Sequence, residues 1–268
     1  MKPVLTVLAL SVLLGACSAG LKKEDDPGPL PANLNIASED AESADQMYLK
    51  AKALLDRQQY ETALSNFENL EATHPFGEHA AQARLDIAYA YYKLNEHQSA
   101  VAAIERFLKL YPQSPKADYA YYLKGLANFT RGRSLLENLV SRKLHRMDQS
   151  TLRLAFSDFS TLVTRYPDSQ YVPDAQRRMT QLRNAMALHE LTTAEYYFKR
   201  SAMVAVVNRI NSMLEVYPET RHSADGLSLL ARAHLALGNR QLAAETVGEL
   251  ELADPDHPDL RILGNLRS

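Results

Sequence analysis

The chain has 268 residues, 46% of them hydrophobic, and a formal charge of −2 from 30 basic and 32 acidic side chains. That balance gives no case for nucleic acid, whose binding demands a basic surface. The only cysteine is Cys17, so no disulfide can form within the chain and stability must come from packing, for which the apolar content is ample.

In chain order, Lys2 precedes an apolar stretch from Val4 to Leu14, followed by Gly15, Ala16 and Cys17. A charged start, a short apolar core and small residues are the parts of a secretory signal, here residues 1–16. The stretch is shorter than the roughly 20 residues that cross a bilayer. Leu14-Gly15-Ala16-Cys17 resembles a bacterial lipobox. The resemblance implies cleavage before Cys17 and attachment of palmitate-type acyl chains through its sulfur. Each buried methylene contributes about 0.8 kcal/mol, so two or three chains hold where one does not. Ser18 after the cysteine, in place of an aspartate, favours the outer membrane of a Gram-negative cell, with the body facing the periplasm. Residues 17–43 read as a lipidated flexible tether. Glu24-Asp25-Asp26, Pro27, Gly28, Pro29 and Pro31 supply charge and breakers but little to bury.

From residue 44 onward, apolar residues recur at three- and four-residue spacing in stretches free of Gly and Pro, which predicts helices throughout. Five segments end alike: Phe67 to Pro75, Ile104 to Pro112, Phe159 to Pro167, Ile210 to Pro218 and Val247 to Pro255. Four residues before each leading apolar residue stand Ala63, Ala100, Ala155, Val206 and Ala243. A small residue that admits a neighbouring helix, large residues that fill the groove and a terminating proline mark the second helix of a tetratricopeptide repeat. Ala51, Ala88 and Ala231 each lie 12 residues earlier and mark first helices. Ser114-Pro115 predicts an N-cap followed by proline at the first helical position. The expected fold is an all-α solenoid of about five helix pairs, with repeats 1–3 over 44–168 and repeats 4–5 over 169–268.

The prolines are spaced 37, 55, 51 and 37 residues apart. The extra length of the third repeat falls at about 131–149, between a helix ending near Phe129 and one starting near Thr151. This insert carries Arg131, Arg133, Arg142, Lys143 and Arg146, with Arg153 just beyond, and is either a solvated loop or a docking surface for an acidic partner. In the fourth repeat the first helix stretches from about Pro173 to Lys199.

Catalytic signatures are absent: no G-x-S-x-G, H-E-x-x-H or phosphate-cradling glycine loop occurs, and no cofactor is implied. The cluster Asp254, Asp256, His257 and Asp259 lacks the glycine and terminal glutamate of a calcium loop and reads as a polar loop, so no metal is expected. Seven of the 14 tyrosines lie between residues 89 and 122. Repeat register places Tyr48, Tyr89, Tyr92, Tyr119 and Tyr122 on the first-helix face, with Phe129 following and Lys52, Lys93 and Lys124 nearby. In the third repeat, register rests on Gly125. Rings flanked by ammonium groups suit a peptide with aromatic side chains and a free carboxylate, although repeat aromatics also serve as filler between helices.

The runs Ala155-Phe156-Ser157-Asp158-Phe159, Tyr166-Pro167-Asp168-Ser169-Gln170-Tyr171, Ala194-Glu195-Tyr196-Tyr197-Phe198-Lys199-Arg200 and Val204-Ala205-Val206-Val207-Asn208-Arg209 resemble the outer-membrane protein assembly lipoprotein BamD (ComL) family. The resemblance implies a subunit of the β-barrel assembly machinery. Such a subunit recognises C-terminal targeting signals of unfolded outer-membrane proteins, docks on the periplasmic domains of the barrel subunit BamA, and meets smaller assembly lipoproteins. It implies substrate recognition in the N-terminal repeats and a BamA-facing surface at Tyr196, Tyr197, Arg200 and Arg209. The competing role for Arg209 is an internal salt bridge to Glu195 or Glu215. The alternatives from other pathways are a pilus-assembly lipoprotein, whose repeats would be evenly spaced, and a cell-wall-associated repeat lipoprotein.

Replacing Cys17 by Ser is expected to move the protein from the membrane fraction to the soluble fraction of the envelope. A Cys17→Ser chain still embedded after alkaline washing would contradict the anchor.

Overall fold

The computed structural model describes residues 42–131 and 144–266. The signal, Cys17, the tether up to residue 41, and Arg133, Arg142 and Lys143 of the insert lie outside the described residues.

The described body is all-helical. The first three hairpins are α1 (Ala44–Asp56) with α2 (Tyr60–Thr73), α3 (Ala80–Lys93) with α4 (His97–Leu110), and α5 (Ala117–Thr130) with α6 (Gln149–Arg165). Two more follow, α7 (Val172–Lys199) with α8 (Met203–Val216) and α9 (Ser223–Ala236) with α10 (Arg240–Ala253), and then the short α11 (Leu260–Leu263). Each helix from α1 to α10 packs on the next, and α1 with α3, α3 with α5 and α7 with α9 also touch. This is the tetratricopeptide-repeat architecture read from the spacing. Stability in such a fold is a sum over neighbouring repeats. The apolar interior accordingly forms a string of clusters between successive helices, centred on Phe67, Phe107, Phe159, Ile210 and Val247. Leu263 of α11 joins Ala231 and Val247, covering the end of the stack.

The repeat chemistry explains the local geometry. Ala63, Ala100, Ala155, Val206 and Ala243 are completely buried, as are Phe67, Ile104, Phe159 and Ile210 one turn later. His74, Tyr111, Tyr166 and Tyr217 end the second helices at φ between −127° and −132°. Each stands before a proline, whose ring forbids the helical conformation in the residue ahead of it. Between the helices of a pair, Gln58, Asn95, Ser201 and Gly238 adopt positive φ. The next amide reaches back to Leu54, Tyr91, Tyr197 and His234 carbonyls at 2.9–3.1 Å, the bond that satisfies a fraying helix end.

In the third repeat no such turn occurs among the described residues, and in sequence the insert stands at that point. Its described end, a 3-10 turn at Leu144–Arg146, packs on α7. Asp148 then caps α6, accepting the Ser150 amide at 3.1 Å. One expectation fails here: Ser114 is not the cap of α5. Its hydroxyl accepts the Lys116 amide at 3.2 Å within a turn, and the helix begins only at Ala117.

Gly125 supplies the close approach that alanine supplies in other repeats. A Cβ there would lie 2.5 Å from Cε1 of the fully buried Phe159. Alanine would favour the helix by about 1 kcal/mol, but overpacking a closed core costs about 1–3 kcal/mol. Gly125→Ala is therefore expected to lower the melting temperature; a calorimetric midpoint that rises would contradict this packing.

Candidate binding surfaces

The first-helix face of repeats 1–3 holds a groove of about 770 Å³, bounded by α1, α3, α5 and the turn before α7. Of the tyrosines and lysines expected there, Lys52, Tyr89, Lys93 and Tyr119 line it. Tyr48 stands behind the wall: its hydroxyl donates to Asp86 Oδ2 at 3.1 Å and its ring stacks on His79. Tyr92 is half-buried in the cluster between α3 and α5, tilted against His97. Tyr122 lies beneath Tyr171, with ring centroids 4.7 Å apart, and its hydroxyl donates to Asp174 at 2.8 Å. Phe129 is a correction. It is only 4% exposed, buried in the cluster of α5, α6 and α7 beside the Arg178 guanidinium, and cannot meet a ligand. Lys124 is likewise held inside, between Glu105 at 2.9 Å and Asp158 at 3.3 Å.

The structure adds residues that register alone did not indicate. Tyr171, from the turn before α7, leans on Tyr119 with centroids 5.6 Å apart and completes an aromatic wall. Asp86 is buried at the base, where it accepts from Tyr48 and Gln82 and pairs with Lys52 at 3.9 Å. Burial raises its carboxyl pKa, opposed by Lys52, Gln82 and Tyr48. Lys52 is thereby engaged by Asp86 and by Asp56 at 3.6 Å. Lys93 lies 5.4 Å from the Tyr60 ring centroid, and Lys116 donates to Gln82. Neither forms an ion pair among the described residues, although the Lys116 charge also favours the Asp86 carboxylate, so these two ammonium groups are the least engaged ones facing the groove.

At the turn from α7 to α8 a different surface forms. Tyr196 is 51% exposed, with the Arg200 guanidinium 4.6 Å from its ring centroid. Tyr197 meets it edge-on and packs into the α7–α9 cluster. Val206 and Val207 pack there as well, but Val204 is 61% exposed and extends the patch. Arg209 donates to Glu190 Oε2 at 2.8 Å, and this bond together with Tyr197 stabilises its charged form. The internal partner is thus Glu190, on the preceding helix, and neither Glu195 nor Glu215. The Arg209 side chain remains 39% exposed beside that bond.

The acidic cluster after α10 is engaged within the protein. Asp259 accepts from Ser228, and the His257 ring lies 3.4 Å from Asp225. No helix among the described residues is long and apolar enough to cross a membrane.

Comparison with known proteins gives concordant matches. The profile of the YfiO family, described as outer membrane lipoprotein, matches residues 40–250. The outer membrane protein assembly factor BamD of Neisseria meningitidis serogroup A is 38% identical, covering 97% of this chain and 94% of its own. That of Xylella fastidiosa strain 9a5c is 36% identical over 95% of this chain and 83% of its own, and that of Vibrio cholerae 34% over 87% and 90%. Among solved structures, the TPR2AB-domain:pHSP90 complex of yeast Sti1 aligns with a TM-score of 0.42 at 15% identity, covering 80% of this chain and 78% of that one. With a family profile spanning most of its length and BamD relatives above 30% identity along nearly all of it, the chain belongs to the YfiO family of outer membrane lipoproteins.

Proposed function

We propose that the protein is a lipid-anchored scaffold subunit of the β-barrel assembly machinery at the outer membrane. In this reading it catalyses no reaction. It receives the C-terminal targeting signal of unfolded outer-membrane proteins in the groove of repeats 1–3, and docks through repeats 4–5 on the periplasmic domains of a BamA-type barrel subunit. Smaller assembly lipoproteins would be further partners. The observation that carries this reading is the near-full-length identity with relatives named as outer membrane protein assembly factor BamD.

The groove chemistry supports the substrate role. Tyr89, Tyr119 and Tyr171 offer half-buried aromatic faces, and Lys93 and Lys116 stand ready for a chain-terminal carboxylate. A peptide copying the last strand of an outer-membrane protein should therefore bind the purified protein. Removing one engaged ring costs about 1–3 kcal/mol, or roughly 5- to 150-fold in affinity. Tyr89→Ala and Tyr119→Ala are expected to weaken binding in that range with the helical spectrum intact. Lys93→Ala with Lys116→Ala should penalise the free-acid peptide and spare its amidated form. Unchanged affinity in the tyrosine variants would make those rings filler between helices.

For the second surface, the pairing of Arg209 with Glu190 defines what a substitution does. The half-exposed bond contributes about 1 kcal/mol or less, so the fold should tolerate its loss. A carboxylate from the partner would share the exposed edge of the guanidinium, as its fork of donors allows. Arg209→Glu is then expected to reduce recovery of the barrel subunit when the tagged lipoprotein is purified from detergent-solubilised envelopes. Equal recovery per folded molecule, with a sharply lower melting temperature, would assign Arg209 a purely structural role.

A further inference from the structure

Gln82 and Asp86 stand one turn apart on the same face of α3, in the lining of the groove of repeats 1–3. The Gln82 amide donates from Nε2 to Asp86 Oδ1 at 3.1 Å, and its Oε1 accepts from Lys116 Nζ. Both neighbours dictate this orientation. An ammonium group has only donors and a carboxylate only acceptors, so the amide turns its oxygen to Lys116 and its nitrogen to Asp86. Asp86 is itself fixed: it is 6% exposed, accepts the Tyr48 hydroxyl at 3.1 Å and lies 3.9 Å from Lys52 Nζ. The result is a relay from a buried carboxylate on α3, through a neutral amide, to an ammonium group at the entry to α5.

Lys116 is exposed, and only its backbone is otherwise held. Its amide donates to Ser114 Oγ at 3.2 Å and its carbonyl accepts from the Ala120 amide at 3.1 Å. A lysine stem is rich in rotamers, and ordering it costs entropy at the moment of binding unless something has ordered it already. Gln82 does so without cancelling the charge: the amide oxygen occupies one of three N–H donors and carries no charge of its own. Lys52 is treated differently, because it faces two carboxylates directly, Asp56 at 3.6 Å and Asp86 at 3.9 Å. The other acid of the lining, Asp118, is engaged by the Ser169 hydroxyl at 2.6 Å and the Tyr119 amide at 2.7 Å.

We propose that Gln82 is a positioning residue: it holds the Lys116 ammonium at the groove, and through it sets the preference for a ligand that ends in a free carboxylate. The inference rests on the substrate role proposed above and adds to it a residue that acts through Lys116.

The test is fluorescence polarisation on the detergent-solubilised full-length protein. The probe is a labelled peptide copying the last strand of an outer-membrane protein, made as the free acid and as the C-terminal amide. The readout is the ratio of the two dissociation constants, because a purely structural defect weakens both forms together and leaves the ratio alone. Gln82→Met keeps the length and helix preference of the side chain and removes the amide. It is expected to lower the free-acid preference about three- to tenfold, the range of one net hydrogen bond. In a Lys116→Ala background the same substitution is expected to change the preference by less than about twofold, because the ammonium group it positions is gone. Gln82→Ala should behave alike, with the helical spectrum checked for both. A wild-type protein that binds neither form, or both equally, would remove the carboxylate role of the groove and this inference with it. A wild-type preference that both Gln82 variants retain in full would overturn the inference alone. So would a loss of the same size with and without Lys116, which would mean that Gln82 acts on the ligand independently of the ammonium group.

Discussion

Where each second helix meets its first, a side chain no larger than valine is completely buried: Ala63, Ala100, Ala155, Val206 and Ala243. That close approach is the constraint on which the body depends. It sets the helix spacing, brings a large residue one turn later into the groove, and repeats because the following proline forces the chain to turn back. The same register puts Gly125 under Phe159 in the third repeat, where the alanine found elsewhere would not fit. With pairing satisfied from within, the first helices are left to present a second face. On it lies the tyrosine groove.

The two departures from regular spacing fall in the third and fourth repeats. The insert stands in sequence between the two helices of the third repeat, and its described end is the 3-10 turn Leu144–Arg146 against α7. α7 itself runs 28 residues, so one helix contributes to the α5–α7 core at its start and to the α7–α9 core at its end.

The solenoid was legible in the sequence because burial in a repeat is set by neighbours a few residues away. Small, large and proline positions recur at fixed distances and need no long-range information. The binding surfaces were legible only in part, for the complementary reason. Register correctly placed Tyr89 and Tyr119, but Tyr171 reaches the groove from a turn 52 residues after Tyr119 in sequence. Phe129 continues the same helical face about two turns beyond Tyr122, yet α6 and α7 close over it. The partner of Arg209 was sought at Glu195 and Glu215, whereas the tight turn after Lys199 brings Glu190, about one and a half turns deeper in α7, into reach. In each case the deciding contact crosses a turn whose geometry periodicity does not encode.

The central claim is that one scaffold holds substrate and barrel subunit on different repeats at once. Site-specific photo-crosslinking in intact envelopes tests it most directly, with the reactive group placed at Lys93 in one strain and at Val204 in another. The account predicts crosslinks from position 93 to unfolded outer-membrane proteins, mapping to their C-terminal strand, and from position 204 to the barrel subunit. Crosslinks from both positions to the same protein, or from position 93 only to other folded envelope proteins, would contradict it.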